Sequence, residues 1–516
     1  MEISEWKKSS DVLVLPRFGI EGLTLQHQKT HKMVKLDRRQ ADFWITWPEG
    51  SMLDDFGDTL DSLISGDFLL SKAHFDPPGL SSSSFDNMTL RQANNNVRWH
   101  EETPDLTILF NSQVMSQNNP LLALSPLGSL IWKGVTTNKS VLSIRQEAAR
   151  VFGNDEVLPF IKRLHDVGMI EVKSPQQLPN FGSNQLTKEF SAPDVQWSLH
   201  HSGVPWYCLW EVNTVCNLRC KTCYLPHFTS RGPTPEAAEE IAQQLIDAGV
   251  FYICIMGGES LLRKDLESII QRLRGAGLFV KIITNGHHLT EERVLSLANA
   301  GINMVEVSFD GLQPATHDKS RGPGAFDKAV AAVQQLQRSN IPRIAVVWTL
   351  HSENQSDFER LPAFLSDLDV HECYISQFKK TGANGGEASF YPVDAAWVEK
   401  AQNKLREWKD QNPQQTIVLM PGCTCARTST VIGYNGDVRT CSFSYESKIG
   451  NVYENSFADI WSSIATTIPD SGPVGFCTKR GASEKTVSVA MAAKMQYLPP
   501  DKLKAKSEEL MASAQV

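Results

Sequence analysis

The spacing of three cysteines in CNLRCKTCY (216–224) suits metal chemistry. Thiolates such as those of Cys216, Cys220 and Cys223 commonly hold iron–sulfur clusters, and three of them leave one iron of a four-iron cluster without a protein ligand. An open coordination position distinguishes a reactive metal site from a closed structural one. The alternatives are a zinc site with a distant fourth ligand, such as His227, or cysteines that only fill a core.

The positions of the other cysteines assign the chemistry to the second half of the chain. All ten cysteines of the 516 residues lie after position 207. Three of them fall within apolar strand-like segments and are expected in the core: Cys208, Cys254 and Cys373. Four more follow near the C-terminal end: Cys423, Cys425, Cys441 and Cys477.

Composition limits the class of protein. Hydrophobic residues make up 41% and charged residues 21% of the chain, as in ordinary globular proteins. The net charge of −8 argues against nucleic-acid binding, because proteins that bind phosphate backbones are usually basic. No run of eighteen apolar residues occurs, and the start MEISEWKKSSD has no apolar stretch for a signal peptide. We therefore expect a cytoplasmic protein without a membrane segment.

The elements that must position the cysteines alternate between strands and helices. Six apolar runs are predicted as strands: WYCLWEV, FYICIM, FVKIIT, INMVEVSF, RIAVVWTL and ECYIS. Amphipathic helices are predicted between them, among others at 235–249, 290–300, 326–337 and 357–368. Buried strands that alternate with helices indicate a parallel sheet covered on both sides. The prediction is an α/β fold with a partial or complete barrel, and with its chemistry at the carboxyl ends of the strands.

Polar and glycine-rich motifs fall at those strand ends. CNLRCKTCY follows the first strand, and the next three strands are followed by GGES (257–260), TNG (284–286) and SFDG (308–311). Glycine pairs allow close backbone approach, and a neighbouring carboxylate suits an amino group. A second copy, GGEA (385–388), has no strand directly before it and is interpreted as a loop.

The ordered motifs resemble those of the radical S-adenosylmethionine (SAM) enzymes, whose core is a partial (β/α)6 barrel. The resemblance covers about residues 204–376 and includes HDKSRG (317–322) after SFDG. One departure is Thr222, where the family usually has an aromatic residue before its last cysteine; here Tyr224 follows that cysteine instead.

The resemblance implies a set of cofactor ligands. Cys216, Cys220 and Cys223 would bind three irons of a 4Fe–4S cluster, and SAM would chelate the fourth through its amino and carboxylate groups. The remaining contacts implied are Gly257, Gly258 and Glu259 at the amino group, Asn285, Ser308 and Asp310 at the ribose, and Arg321 at the carboxylate. For Asn285, Ser308 and Arg321 a capping or surface role is the alternative. No catalytic acid or base is assigned, and Tyr207, Glu211, His227, His287, His317 and Trp348 are unranked candidates for the cavity wall.

The segment after the barrel resembles the auxiliary-cluster extension called SPASM or twitch. YNGD (434–437) is typical of a hairpin turn, and SFADIW (456–461) of an amphipathic helix. Cys423, Cys425, Cys441 and Cys477 are the expected ligands of one auxiliary 4Fe–4S cluster, since a full SPASM domain with two clusters normally uses seven cysteines. The alternative is that one or more of the four is merely buried.

The cysteine-free half resembles the peptide-recognition winged helix of enzymes that tailor ribosomally made peptides. Residues 123–173 predict three short helices and a terminal strand, and a weak internal repeat suggests an earlier, degenerate copy. The expected units are a degenerate module (1–85), the peptide-recognition winged helix (100–178), a linker (179–203), the barrel (204–378), the auxiliary-cluster domain (379–480) and a tail (481–516). A winged helix that only packs on the barrel is the alternative.

These resemblances together imply a peptide maturase. It would bind a precursor peptide through its N-terminal module, receive electrons from a reductant such as flavodoxin or ferredoxin, and form a C–C or C–heteroatom crosslink between side chains. One alternative is a radical SAM enzyme with a non-peptide substrate such as a tetrapyrrole. A remote one is a redox-sensing winged-helix DNA-binding protein, which the acidic net charge disfavours.

Overall fold

The computed structural model describes most of the chain between residues 207 and 467. The described ranges there are 207–379, 390–412, 414–419, 429–443, 445 and 447–467. Before residue 207 the structure describes 126–152, 157–166, 168–172 and the short strands named below. No helix in these ranges is both long enough and apolar enough to cross a membrane.

The N-terminal region contains two segments with the same strand pairing. The first has β1 (Trp6–Lys8), β2 (Val12–Pro16), β3 (Gly22–His27), β4 (Met33–Asp37) and β5 (Leu69–Ser71). The second has β6 (Leu90–Gln92), β7 (Val97–Thr103), β8 (Leu106–Asn111), β9 (Leu121–Leu124) and β10 (Ile170–Val172). In each segment the outer strands form an antiparallel pair, and the three strands between them form an antiparallel sheet. This shared topology supports the predicted internal repeat.

Three helices lie between β9 and β10. They are α1 (Pro126–Thr136), α2 (Val141–Phe152) and α3 (Leu158–Asp166), which confirms the three helices and terminal strand expected there. Ile131, Ile144 and Ile161, one from each helix, are fully buried in a hydrophobic core that is separate from that of the barrel. The boundaries 100–178 and the peptide-recognition role of this unit stay predictions.

A ten-stranded sheet forms the centre of the protein. Its strands are β11 (Tyr207–Glu211), β12 (Tyr252–Met256), β13 (Phe279–Thr284), β14 (Met304–Phe309), β15 (Arg343–Leu350), β16 (Glu372–Gln377), β17 (Thr416–Leu419), β18 (Ser429–Ile432), β19 (Asp437–Arg439) and β20 (Lys448–Asn451). The six strands β11 to β16 are parallel neighbours in chain order, which confirms the predicted barrel units.

Four strands from the C-terminal segment join the same sheet. β17 pairs parallel with β16 at one side, and β18 pairs parallel with β11 at the other. β19 and β20 continue antiparallel beyond β18. The segment after residue 379, predicted as a separate small domain, therefore extends the barrel sheet on both sides.

Helices cover the outside of the sheet. They are α4 (Pro235–Asp247), α5 (Leu266–Gly275), α6 (Glu291–Asn299), α7 (Pro314–Arg321), α8 (Ala325–Gln337), α9 (Leu361–Asp367), α10 (Ala395–Gln411) and α11 (Phe457–Thr467). Threonine N-caps explain where two of the predicted helices start. The Thr234 hydroxyl caps α4 by accepting from the Ala237 amide, and Thr290 caps α6 through the Arg293 amide.

Alternating residues of each strand face the helices or the inside of the barrel. Trp210, Ile255 and Val305 pack in the layer between strands and helices. Glu211 and Glu306, each adjacent in sequence to one of these residues, therefore face inward. The carboxyl ends of all six strands meet at one rim, which carries the cysteine motif.

Candidate active site

The cysteine loop, defined as residues 212–228, leaves the rim directly after β11. Cys216, Cys220 and Cys223 are all partly buried, and none forms a disulfide within the described part of the chain. Cys220 lies within electrostatic range of the other two, and the Arg321 guanidinium acts on all three. The structure thus gathers the three predicted iron ligands around one buried positive charge.

Burial governs the ionisation of these thiols. It raises the pKa of Cys216, of Cys220 to about 12 and of Cys223 to about 11, while the charge of Arg321 lowers each of them. The thiols are therefore neutral at pH 7 without iron. Because iron and zinc bind thiolates, loading this site releases protons.

The geometry disfavours the zinc alternative. Among the described residues, no three His, Cys, Asp or Glu side chains converge on the volume of a single metal ion. His227 has other partners: Nε2 lies 2.7 Å from the Tyr434 hydroxyl, and Nδ1 lies 3.2 Å from the Thr214 hydroxyl. A four-iron cluster is larger than one ion and takes each thiolate on a different iron, so its ligands stand further apart.

The two glycines of GGES allow the loop after β12 to pack against the start of the cysteine loop. A Cβ on Gly257 would lie 2.3 Å from the Asn213 carbonyl oxygen, and one on Gly258 would lie 2.2 Å from the Val215 carbonyl oxygen. Gly257 also has a φ of 129°, which side-chain-bearing residues rarely adopt. Glycine is therefore required here by the approach of two backbone segments, whatever contact it makes with a ligand.

The carboxylate of Glu259 is directed into the protein. It is fully buried and accepts hydrogen bonds from the Leu261 amide at 3.1 Å, the Thr284 hydroxyl at 2.9 Å and the Asn285 amide at 2.9 Å. Burial raises its pKa, and these donors oppose that change. Glu259 thus joins the GGES and TNG loops, and its contact with an amino group stays a prediction.

Asn285 reaches the cysteine loop. Its side-chain amide donates to Asn217 Oδ1 at 2.9 Å and lies 3.8 Å from the Cys216 sulfur. Ser308, at the end of β14, is buried with 8% of its surface exposed. Both residues lie at the rim as expected, and their contacts with a ribose stay predictions.

Asp310 is the centre of a buried network with Arg321, Ser320 and Thr222, here called the Asp310 network. One carboxylate oxygen accepts from Arg321 Nη2 at 2.9 Å. The other accepts from the Ser320 hydroxyl at 2.6 Å and from the Thr222 hydroxyl at 2.8 Å. Asp310 ties α7 to the cysteine loop, and its predicted contact with a ribose stays a prediction. Thr222, which replaces the aromatic residue of the family, supplies the hydroxyl that completes this link.

Arg321 retains hydrogen-bonding capacity at the site. Its Nη2 is used by Asp310, while its Nε is buried and has no hydrogen-bond partner within the described part of the chain. A buried donor of this kind needs an acceptor. A bound carboxylate beside the three thiols would satisfy it, so the residues present fit a cluster with a carboxylate-bearing ligand.

The C-terminal hairpin, defined as β18, β19 and the segment up to β20, contains one of the predicted auxiliary cysteines. The predicted YNGD turn is confirmed: the Gly433 amide donates to the Asp437 carbonyl, and Gly436 has a φ of 81°. Cys441 follows β19 and is partly buried. Cys423, Cys425 and Cys477 lie outside the described residues, as does the GGEA segment, so the auxiliary ligand set stays a prediction.

Comparison with family models identifies two domains. The radical SAM superfamily model matches residues 210–365, and an iron–sulfur cluster-binding domain, SPASM, matches residues 423–478. The chain carries a radical SAM domain. The resemblance inferred from the motifs is thereby confirmed, and with it the expectation of a radical SAM enzyme. The two domains imply a SAM-binding 4Fe–4S cluster, SAM and an auxiliary iron–sulfur cluster, as expected.

Similar proteins include enzymes of two kinds. The chain is 26% identical over 351 residues to the sporulation killing factor maturation protein SkfB of Bacillus subtilis (strain 168), covering 61% of this chain and 82% of SkfB. It is 26% identical over 292 residues to the AdoMet-dependent heme synthase of Methanosarcina barkeri (strain Fusaro / DSM 804), covering 50% of this chain and 83% of that protein.

A solved structure shares the fold. Streptococcus suis SuiB, crystallised with its precursor peptide SuiA, aligns with a TM-score of 0.55 at 15% identity and covers 75% of this chain and 91% of SuiB. Residues 207–516 number only 310, which is less than 75% of the 516-residue chain. The aligned part must therefore include residues that precede the radical SAM domain.

A second buried ion pair holds the start of the cysteine loop, and the sequence analysis missed it. Arg439 donates through Nη2 to Glu211 at 2.5 Å, and its guanidinium stacks 3.9 Å from the Tyr445 ring centroid. Glu211, Arg439 and Tyr445 are here called the Glu211 network. Only the arginine at the end of the strand DVR could have signalled it, since its partner lies 228 positions earlier.

The structure also ranks the candidates for the cavity wall. Trp348 is excluded because it packs in the outer layer between strands and helices. His317 is buried and accepts from the Asp310 amide through Nδ1 at 3.3 Å. Inside the barrel, a buried pair of Lys281 and Glu306, 2.5 Å apart, was not predicted. The lone charges in the apolar runs FVKIIT and INMVEVSF were the available signal.

Proposed function

We propose that this protein is a radical SAM peptide maturase that binds a ribosomally made precursor peptide and forms a crosslink between side chains of its core. The observation that carries the proposal is the extent of the likeness to SuiB, which continues beyond the barrel into the N-terminal region. The similarity to SkfB, a maturation protein, supports the same class of substrate.

The N-terminal region offers a place for an extended peptide. Among the described strands β9 pairs only with β8, so its other edge is available for an added strand. Helix α1 packs beside β8 and β9, so a strand added at this edge is proposed to contact this helix as well. The proposed role of this region is to hold the leader of the precursor while its core enters the barrel.

The residues of the rim have different proposed roles at the SAM site. With iron and SAM bound, the cofactors supply a 5′-deoxyadenosyl radical that abstracts hydrogen from an unactivated C–H bond. Cys216, Cys220 and Cys223 hold the cluster, Arg321 offers its unpartnered Nε to a carboxylate, and Asn285 orients the loop beside Cys216. A reductant such as flavodoxin or ferredoxin is proposed to supply the electron.

The first test is reductive SAM cleavage by the reconstituted full chain without oxygen. We expect 5′-deoxyadenosine from the wild type and none from Cys220→Ala, because one iron loses its protein ligand. Cys373→Ala, which removes a fully buried core thiol, is the matched control and should keep cleavage. Cleavage by Cys220→Ala at the wild-type rate would contradict the assignment of the cluster site.

Iron analysis tests the auxiliary cluster. Two four-iron clusters give about eight irons per chain, and Cys441→Ala should then lose up to about four of them. A wild-type value of about four irons per chain would contradict the presence of an auxiliary cluster.

Peptide binding tests the substrate class. A short open reading frame beside the gene should encode a peptide that binds the full chain, measured by fluorescence anisotropy. A chain that lacks residues 1–178 should lose this binding while it still cleaves SAM. Binding of none of the neighbouring peptides would count against a peptide substrate and leave the radical SAM assignment intact.

A tetrapyrrole-modifying enzyme is the second candidate, because a heme synthase is among the similar proteins. That match covers only half of this chain and gives no role to the N-terminal region. Tight binding of a porphyrin precursor by the full chain, with no peptide binding, would favour this candidate.

A further inference from the structure

The cysteine loop is supported from two sides, and the two supports hold different parts of it. The Asp310 network holds the middle: Thr222 bonds to Asp310, and the Lys221 amide donates to the Ser320 carbonyl at 3.0 Å. These contacts fix the segment between the second and third cysteines. They leave both ends of the loop to other partners.

The C-terminal hairpin holds the start of the loop. Glu211 is the last residue of β11 and lies five positions before Cys216. It is fully buried, and Arg439 reaches it from β19 with only 1% of its surface exposed. The Tyr445 hydroxyl lies 3.4 Å from both carboxylate oxygens of Glu211. The Glu211 network thus holds the last residue of β11, while backbone hydrogen bonds to the GGES loop and to Ser230 hold residues 213–215 that follow.

The same hairpin holds the far end of the loop. The ring of Tyr224, directly after the third cysteine, packs edge-on against Phe443 with 5.9 Å between centroids. His227 is hydrogen-bonded to the Tyr434 hydroxyl at 2.7 Å, with their rings 5.1 Å apart. Arg439 and Tyr445 of the hairpin thus contact Glu211 directly before the loop, and Tyr434 and Phe443 contact the loop after its last cysteine.

The Glu211 network is poorly suited to providing stability alone. Arg439 Nε and Nη1 are buried without hydrogen-bond partners in the described part of the chain. Unpaired buried donors cost free energy, and replacing a buried ion pair by apolar residues of similar volume is often neutral or stabilising. An ion pair with unused donors at this position is better explained by what it orients.

We propose that Arg439 is a positioning residue for the SAM site: through Glu211 it fixes the entry of the cysteine loop, so that the C-terminal hairpin and the SAM-binding cluster site are energetically coupled. The inference concerns cofactor binding and does not depend on the peptide substrate. Since coupling is reciprocal, loss of hairpin contacts weakens SAM binding, and SAM binding stabilises the hairpin.

The deciding experiment replaces the pair by residues of similar volume, Glu211→Met with Arg439→Met, in the reconstituted full chain without peptide. We expect SAM to bind at least about fivefold more weakly. The change in the electron paramagnetic resonance spectrum of the reduced cluster on SAM addition should diminish. The thermal unfolding midpoint should stay close to that of the wild type. If the pair served only stability, its replacement would lower this midpoint.

The control is Arg343→Met with Glu372→Met, an ion pair at the amino ends of β15 and β16, away from the rim. It should leave SAM affinity and the spectrum unchanged. If the first double variant does not fold, Tyr434→Phe and Phe443→Ala replace it, and both should weaken SAM binding. Wild-type SAM affinity in the folded double variant, or in both of these replacements, would overturn the proposal. A failed peptide-binding test leaves these measurements unaffected.

Discussion

Two buried carboxylate–arginine pairs flank the cysteine loop, and they differ in how fully they are hydrogen-bonded. Asp310 and Glu211 are both fully buried. Asp310 accepts short hydrogen bonds from Arg321, Ser320 and Thr222. Glu211 accepts one short bond from Arg439, and the Tyr445 hydroxyl lies 3.4 Å away.

The difference appears in the pKa values of the two carboxyls. Burial opposes ionisation of Asp310, but Arg321 and the hydroxyl donors together hold its pKa well below the usual range. Burial raises the pKa of Glu211 despite the charge of Arg439. Both carboxyls are buried beside an arginine, so the shorter hydrogen bonds from the hydroxyl donors of Asp310 are what favours its ionised form more strongly. The ionised pair of Asp310 and Arg321 is therefore favoured in the folded chain, whereas ionisation of Glu211 beside Arg439 costs free energy.

Replacement of Asp310 should have the largest effect on stability. Asp310→Asn leaves the Arg321 charge buried without its counterion, which typically costs about 3–5 kcal/mol. Glu211→Gln is the matched control and should cost less at pH 5, because the Glu211 carboxyl is the more easily protonated of the two. The measurement is the urea midpoint of the barrel transition in the chain without iron. Equal decreases of the urea midpoint in the two variants would show that the two ion pairs do not differ in their contribution to stability.

A pH titration should reveal the buried histidine beside the Asp310 network. Burial and the charge of Arg321 lower the pKa of His317 from 6.5 to about 4. Since the unfolded chain binds the proton first, stability is full above pH 6.5 and falls by about 3 kcal/mol as pH decreases towards 4. His317→Gln should flatten this part of the curve of unfolding free energy against pH. An unchanged slope in the variant would show that other groups dominate.

The smallest expected effect concerns the hydroxyl of Thr222. Thr222→Val keeps the shape of the side chain and removes one donor to Asp310, at a cost of about 1 kcal/mol. Thr416→Val, at an exposed position of β17, is the control. Thermal unfolding of the two variants is the measurement, and a loss in Thr222→Val no larger than in the control would mean that Ser320 and Arg321 alone suffice for Asp310.

The sequence predicted the barrel well because its signals are local. Apolar runs mark the six parallel strands, and threonine caps mark the starts of helices such as α4 and α6. The order of the motifs along the chain then placed Cys216, Asn285 and Ser308 at one rim. All of these inferences use residues close in sequence to the element that they describe.

The directions of polar side chains were beyond the sequence. The motifs GGES and SFDG gave no sign that Glu259 and Asp310 turn into the protein, because their donors come from other loops. The pairing of β18 with β11 was missed for the same reason. Nothing in the four residues STVI indicates that their neighbour lies more than two hundred positions earlier.

The pairing of β18 with β11 also has a consequence for synthesis of the protein. Ser429 pairs with Tyr207, and the two positions differ by 222 residues. At translation rates of about 5–20 residues per second, roughly 10 to 45 seconds pass between the synthesis of β11 and that of β18. During that interval one edge of β11 lacks its partner strand, and the hairpin residues that hold the ends of the cysteine loop do not yet exist. Iron–sulfur assembly at Cys216, Cys220 and Cys223 should therefore be a late event, after the ribosome has passed residue 445.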